Sequence, residues 1–479
     1  MAPSHQPHRG RPAAGGRQVM SRTVLAVALL ATGLATAAPE APPKAGPTPP
    51  FELPSTTVFS LKNGLKVTLV PYGAVPKTDV SLALRLGNAD EAADQTGLAD
   101  LLGKLLLQGT TKKSAVQVAE AAASLGGALE ANVRVDETSL DIECLGDSTV
   151  DAIRLVAEVA RTPAFPTAEL ARLRGDLLRE VAIQRSQPQP LAEEVFFRAI
   201  YGNHPYGRVL PVAAEVERFN LEQAKKLWTR FAGADRAHLY VVGRFDPAAV
   251  RAAVEEAFGG WGKAKGVPRP KPAPKAGRRV LLLDRPDALQ STVRLGLPAI
   301  PPTSPDYIPL VVTDALLGGS FGSRITANIR EKHGYTYSPR SVIGLHPGVG
   351  TWAEAADVTT KDTAASVREI VNEIERLRKE PPGDQELAGI RKYVAGTFVL
   401  RNSSRAGIVT QLRFVDLHGL PADWLRTFVQ RVEAVTPADV TRITRKYLDP
   451  QRMTLVVVGD RKVVEDSLKQ FGPVKVEAP

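Results

Sequence analysis

Cysteine is nearly missing from this chain: Cys144 is the only one in 479 residues, so no intrachain disulfide can form in any redox compartment. Packing must hold the fold. Histidine is almost as sparse. Beyond residue 37 it occurs at His204, His238, His333, His346 and His418, and no two of these lie three to five residues apart. That excludes a zinc helix built on a short-spaced histidine pair. Dense Lys/Arg runs are missing too. The formal charge is +10, but Arg9, Arg11, Arg17 and Arg22 stand in residues 1–37 without a single acid, leaving +6 on the rest. With no basic–aromatic interleaving, a nucleic-acid partner is not expected.

The apolar run from Val24 to about Leu34 is too short to span a bilayer. Arg22 precedes it and Ala35-Thr36-Ala37 follows, the layout of a secretory signal peptide over residues 1–37, cleaved after Ala37 or Ala38. Met20 is the alternative start, and an uncleaved anchor the alternative fate. No cysteine near the cleavage site invites lipid attachment. The mature chain is therefore expected to cross the inner membrane into a bacterial periplasm and to keep no membrane span. Residues 38–54, seven of them proline, read as an extended spacer.

What remains is long enough for two or three domains, and 43% hydrophobic with 23% charged residues describes a globular protein. Two segments repeat at an offset of 216 positions. Asn220 and Thr436 each cap a predicted amphipathic helix, running to Phe231 and Tyr447. The apolar runs Leu239–Gly243 and Leu455–Gly459 follow in the same order. Phe258-Gly259 and Phe471-Gly472 match after a small gap, so the chain is a tandem duplication. Between the copies, the alternate prolines of residues 266–275 preclude a helix or central strand and predict an interdomain strap. The expected domains are 55–263 and 277–479, joined by a linker at 264–276. Strand patterns at 57–70, 78–86 and 129–144, then 280–283 and 292–297, alternate with long helical ones. They predict α+β halves, each a mostly antiparallel sheet flanked by helices.

The stretch Gly87–Thr110, GNADEAADQTGLADLLGKLLLQGT, resembles the insulinase/pitrilysin metallopeptidases: acidic residues, a Gly-Leu-Ala turn, a helix carrying HxxEH, and a Gly-Thr exit. In that motif two histidines one turn apart bind zinc and the glutamate activates water. Here its slots hold Asp100, Gly103 and Lys104, none of them an imidazole, so no metal is expected in this chain. The resemblance makes Glu180, in LLREVAIQ, the third ligand position, with Leu173 where a second acid is usual. Asp100 and Lys104 are spaced to pair along a helix, and Lys104 could neutralise Glu180 in place of a metal. His204, in Asn-His-Pro-Tyr-Gly, matches a structural turn.

The second half keeps more of the pattern. Leu316–Ser338 resembles the family's C-terminal signature, which makes Arg330 and Tyr337 the residues that hold substrate and stabilise the carbonyl oxygen. Helix capping and packing are their structural alternative. Gly318, Gly319 and Ser320 read as a substrate-contacting loop or a turn, without the Lys-Ser/Thr of a phosphate loop. Gly126–Thr138 resembles the edge strand that pairs with an extended peptide, through Ala131, Asn132 and Val133, with Glu130 where asparagine is usual.

The resemblance implies two halves facing each other around a peptide-holding cavity. It also implies a non-catalytic subunit of a heterodimeric zinc metallopeptidase, with Arg330 and Tyr337 acting in trans. The partner would be a homologous chain with intact HxxEH, carrying the zinc. The alternative is a proteolytically inactive peptide-binding or scaffold protein of the cell envelope.

Overall fold

A computed structural model describes residues 52, 54–266 and 269–477. The predicted signal peptide and nearly all of the proline spacer lie outside these residues. Two six-stranded mixed sheets form the frame. The first has β1 (Thr57–Ser60), β2 (Lys66–Pro71), β3 (Lys77–Leu84), β4 (Leu129–Val133), β5 (Thr138–Leu145) and β6 (Ala237–Gly243), in the order β1-β2-β6-β3-β5-β4. The second has β7 (Arg279–Asp284), β8 (Gln290–Ala299), β9 (Arg340–His346), β10 (Val349–Thr359), β11 (Thr454–Gly459) and β12 (Val474–Glu477), in the order β12-β7-β11-β8-β10-β9. The α+β duplication is thus realised in space: β6 and β11, which carry the repeated apolar runs, take the same place in their sheets. Each lies parallel to one neighbour and antiparallel to the other. The patterns at 57–70 and 129–144 are hairpins rather than single strands, turning at 61–65 and 134–137.

The apolar runs are continuous because both sheet faces are buried. Along β6, Leu239 and Val241 join the core of the first half while Tyr240 and Val242 face the other way. Along β11, Leu455 and Val457 point into the second core, and Val456 and Val458 point out of it. Each outward face is covered by a helix from the opposite half. Four helices position the site and join the halves: α1 (Leu98–Leu106), α2 (Thr167–Ser186), α3 (Pro188–Tyr201) and α4 (Arg405–His418). From the first half, α3 lays Ala192, Val195 and Phe196 on Leu281, Leu283, Val456 and Val458. From the second half, α4 returns to lay Ile408 and Val409 on Val70, Ala83, Tyr240 and Val242.

Charge fixes the position of α4. Arg405 pairs with Asp79 at 3.1 Å and with Glu143 at 2.5 Å, and Arg413 pairs with Glu137 at 2.6 Å. Asp416 receives Arg85, Lys66 at 3.3 Å and His238 at 3.4 Å. Burial opposes ionisation of Asp416, but the bond to His238 and the charges of His238, Arg85 and Lys66 outweigh it and hold the carboxyl far below the usual range.

The strap is tied down as well. Arg269 Nε donates to Asp90 at 2.9 Å, its Nη1 to Asp136 Oδ1 at 2.8 Å, and its Nη2 to the Asp136 carbonyl at 2.9 Å. Asp136 also accepts from Tyr206 Oη at 2.8 Å, and His346 Nδ1 of β9 lies 2.7 Å from its Oδ2. The His346 ring stacks on Tyr206 at 3.9 Å. One carboxylate therefore joins the β4–β5 turn, the His204–Tyr206 turn, the strap and the second sheet. No helix among the described residues is long and apolar enough to cross a membrane.

Two acids inside the second half have no such cationic partner among the described residues. Asp314 accepts from Ser341 Oγ at 2.5 Å and Trp352 Nε1 at 2.7 Å, and burial pushes its carboxyl up to about 6. Glu354 is completely buried, and burial together with the Asp314 charge raises its carboxyl well above the ordinary value. The folded state keeps the Glu354 proton after the unfolded chain has released it, so this group costs stability as pH rises above the unfolded carboxyl range. We expect Glu354→Gln to gain stability over the native chain in urea denaturation, with a gap that widens from pH 5 to pH 8. A gap independent of pH would show that Glu354 ionises normally.

Candidate functional site

The helix that carries the zinc-motif slots, α1, begins where Gly97 adopts a left-handed φ of 94°. Its first turn is capped by Glu91, whose carboxylate accepts from the amides of Gly97 at 3.0 Å and Ala99 at 2.7 Å and from Asn88 Nδ2 at 3.2 Å. Burial pushes the Glu91 carboxyl up to about 8 despite these donors. Leu98, Leu101, Leu102 and Leu105 bury the opposite face of α1 in the first core, which turns Asp100 and Lys104 toward a cleft of about 570 Å³.

Within the cleft the three slots have separate fates. Asp100 accepts from Asn88 Nδ2 at 2.9 Å, so the predicted Asp100–Lys104 pairing along the helix is not made. Asn88 is nearer to hand and costs less side-chain freedom than a reach along the helix. Burial, more than any neighbour, raises the Asp100 carboxyl above its ordinary value. Lys104 instead crosses to α2, where its Nζ donates to Glu180 Oε1 at 2.7 Å. The cation thus engages the third ligand position directly. Both side chains keep solvent contact, at 30% and 50% exposure, so this pair adds at most about 1 kcal/mol to stability.

Gly103 is buried, and a Cβ added there would lie 2.6 Å from Val133 Cγ2. The edge strand leans into the room a glutamate would need. Leu173 is buried in the first core, where the resemblance has a second acid. Among the described residues no group of three His, Cys, Asp or Glu side chains converges in a metal-binding geometry. A cation at Lys104, an occupied Asp100 and a neutralised Glu180 do not fit zinc, and no zinc-dependent step is assigned to these residues.

Two sheet edges line the cleft. Ala131 and Val133 contribute from β4 and Gly344, Leu345 and His346 from β9, each strand being last in its sheet. Alternation along β4 turns Asn132 and Glu130 away to solvent, and Asn132 donates to Asp141 at 3.0 Å. Among the described residues β4 pairs with no strand other than β5, which leaves its outer side an edge. His204 holds a turn: its Nδ1 accepts from the Tyr206 amide, and its Nε2 lies 3.0 Å from the Pro270 carbonyl.

The remaining predicted residues lie elsewhere. Gly318 and Gly319 end a π-turn, Ala315–Gly319, that rests on the two buried acids. A Cβ on Gly318 would lie 2.3 Å from Glu354 Oε2, and one on Gly319 would lie 2.4 Å from Asp314 Oδ2. Their absent side chains allow that approach, and neither glycine nor Ser320 lines the cleft. Arg330 and Tyr337 also stand outside it. The Arg330 guanidinium is held between the rings of Phe321 at 4.4 Å and Tyr337 at 5.0 Å, and those rings are 73% and 79% exposed. Sequence reading overlooked Phe321, although an aromatic between Ser320 and Gly322 of a glycine-rich loop is a signal for exposed stacking. It also overlooked Asp136 and His346, whose meeting depends on tertiary contact alone.

The fold is shared with known proteins. Residues 71–212 match the family model described as insulinase, peptidase family M16, and residues 218–394 match the one described as the peptidase M16 inactive domain. The chain belongs to the M16 insulinase family. An uncharacterized zinc protease of Mycobacterium tuberculosis is 26% identical over 87% of this chain and 96% of its own length. One from Streptomyces coelicolor is 25% identical over 84% and 89%. Among solved structures, a peptidase M16 inactive domain from Pseudomonas fluorescens superposes with a TM-score of 0.78 at 25% identity, covering 85% of this chain and 98% of that one. A protease from Helicobacter pylori superposes with a TM-score of 0.79 at 19% identity, covering 85% and 100%, a likeness of fold.

The contact between Gly103 and Val133 is testable by a double-mutant cycle. Gly103→Ala should cost about 1–3 kcal/mol in denaturant unfolding through overpacking, and Val133→Ala in the same chain should recover most of that loss. Additive losses would mean that the strand does not occupy the glutamate's place.

Proposed function

We propose that this chain is the non-catalytic, substrate-binding subunit of a two-chain zinc metallopeptidase of the cell envelope, exported to the periplasm. The observation that carries the reading is the contrast between its two halves. Its own motif centre is filled by the Lys104–Glu180 ion pair at 2.7 Å, while Arg330 stacks with two exposed rings and, among the described residues, pairs with no acid other than its neighbour Glu331. With Nε turned to Glu331 at 3.2 Å, a guanidinium fixed by stacking keeps its Nη donors free for an external carbonyl or oxyanion. The 79% exposure of Tyr337 leaves its hydroxyl free in the same way.

In this reading a homologous chain with intact HxxEH supplies zinc, base and nucleophilic water. This chain supplies Arg330 and Tyr337 to the carbonyl oxygen as it gains negative charge. The open edge of β4, through the backbone of Ala131–Val133, pairs with extended peptide, and main-chain bonds there do not depend on the side chain at Glu130.

The test is a peptidase assay on the mature chain alone and mixed with an intact-motif homologue. The lone chain should be inactive and the mixture active. Arg330→Ala should lower kcat/KM of the mixture by about 10²–10³-fold and Tyr337→Phe by about tenfold, both with unchanged melting temperature. Full activity in the Arg330→Ala mixture, or zinc-dependent cleavage by the lone chain, would contradict the proposal. Inactivity in both settings would favour the scaffold reading.

A further inference from the structure

A second cavity, of about 380 Å³, opens between the β4–β5 turn, the end of β9 and α4. It shares Val135, Leu345 and His346 with the cleft, so a chain leaving β4 past Val135 meets it next. Phe414 and Leu417 of α4 give it an apolar wall.

The acids that line it are already engaged. Asp136 is held by Arg269, Tyr206 and His346, and Glu137 by Arg413 at 2.6 Å with Arg85 at 3.6 Å. Two nitrogen groups are not engaged. Arg134, exposed on the turn, has no side-chain hydrogen bond or ion pair among the described residues. His418 is 9% exposed, packs its ring on Phe414 at 4.7 Å, and leaves its buried Nδ1 without a partner. An apolar wall with a free guanidinium and a free imidazole nitrogen complements a carboxylate on a short apolar stem.

We propose that this cavity is a subsite for a carboxylate of the bound peptide, from an Asp or Glu side chain or from the C-terminus, recognised by Arg134 and His418. The inference rests on the peptide-holding reading of the cleft and gives it a chemical preference. Burial holds the His418 imidazole down to about 4; the Asp136 charge opposes this, and those of Arg85 and His346 reinforce it. A carboxylate seated beside the ring would favour the imidazolium and move its titration upward.

Two measurements on the mature chain separate the subsite from the cleft. In the first, acetate is titrated while the His418 ring is followed by NMR. Acetate should shift the resonance and raise its titration midpoint by about one pH unit. Arg134→Ala, at an exposed position with unchanged melting temperature, should abolish both effects. In the second, a fluorescein-labelled Ala/Ser/Val decapeptide is used as C-terminal acid, as amide, and as amide with one internal Glu. The acid or the Glu form should bind about tenfold more tightly than the plain amide, and which of them gains identifies the source of the carboxylate. A His418 ring unmoved by acetate together with equal binding of all three peptides would overturn the subsite. If acetate moves His418 but no peptide binds, the subsite stands and the peptide-holding reading of the cleft falls.

Discussion

The central strands β6 and β11 are apolar on both faces, and only one face of each packs into the core of its own half. The uncovered face of the first sheet is closed by α4 and that of the second by α3, so the halves exchange cover. An apolar face left in water would cost about 25 cal/mol for every Å², which makes the exchange a condition of folding. The site depends on it. Glu180 lies on α2, which runs directly into α3, so the helix bearing the third ligand position is anchored through the second sheet. His418 closes α4, and Arg405, Arg413 and Asp416 along that helix meet opposite charges on the first sheet.

Inside this frame the motif centre has been rebuilt as packing. Glu91 still caps α1 and orients it, yet the groups presented to the cleft are a carboxylate bound to asparagine, a glycine beneath a valine, and a lysine paired with Glu180. Coulomb attraction between Lys104 and Glu180 replaces the attraction that a metal would exert there, without any group to activate water. The second half presents at its surface a guanidinium stacked with two exposed rings.

Much of this frame is legible in the amino-acid sequence. The 216-residue offset locates β6 and β11 because a strand buried on both faces must be apolar at every position, and few other elements read that way. Asp100, Gly103, Lys104 and Glu180 meet at one cleft: a helix turn sets the first three, and the β4–β5 hairpin and the helices around it carry the chain to Glu180. Other features stay hidden for physical reasons. Nothing local in α3 or α4 says which sheet each will cover, because an amphipathic stripe carries no address. The Asp100–Lys104 pairing is a sound expectation for an isolated helix and loses to Asn88, a partner supplied by the loop ahead of it. Gly318 and Gly319 look like substrate-contacting glycines, whereas the structure uses their missing Cβ atoms to rest backbone on Asp314 and Glu354.

In the proposed function, the first half holds no metal and the second half serves a site completed by another chain. Metal content tests it most directly: zinc stoichiometry by inductively coupled plasma mass spectrometry, on the purified mature chain and on its stable complex with an intact-motif homologue. The account predicts far less than one zinc per molecule for the lone chain and one zinc per pair for the complex. One tightly held zinc in the lone chain would contradict it.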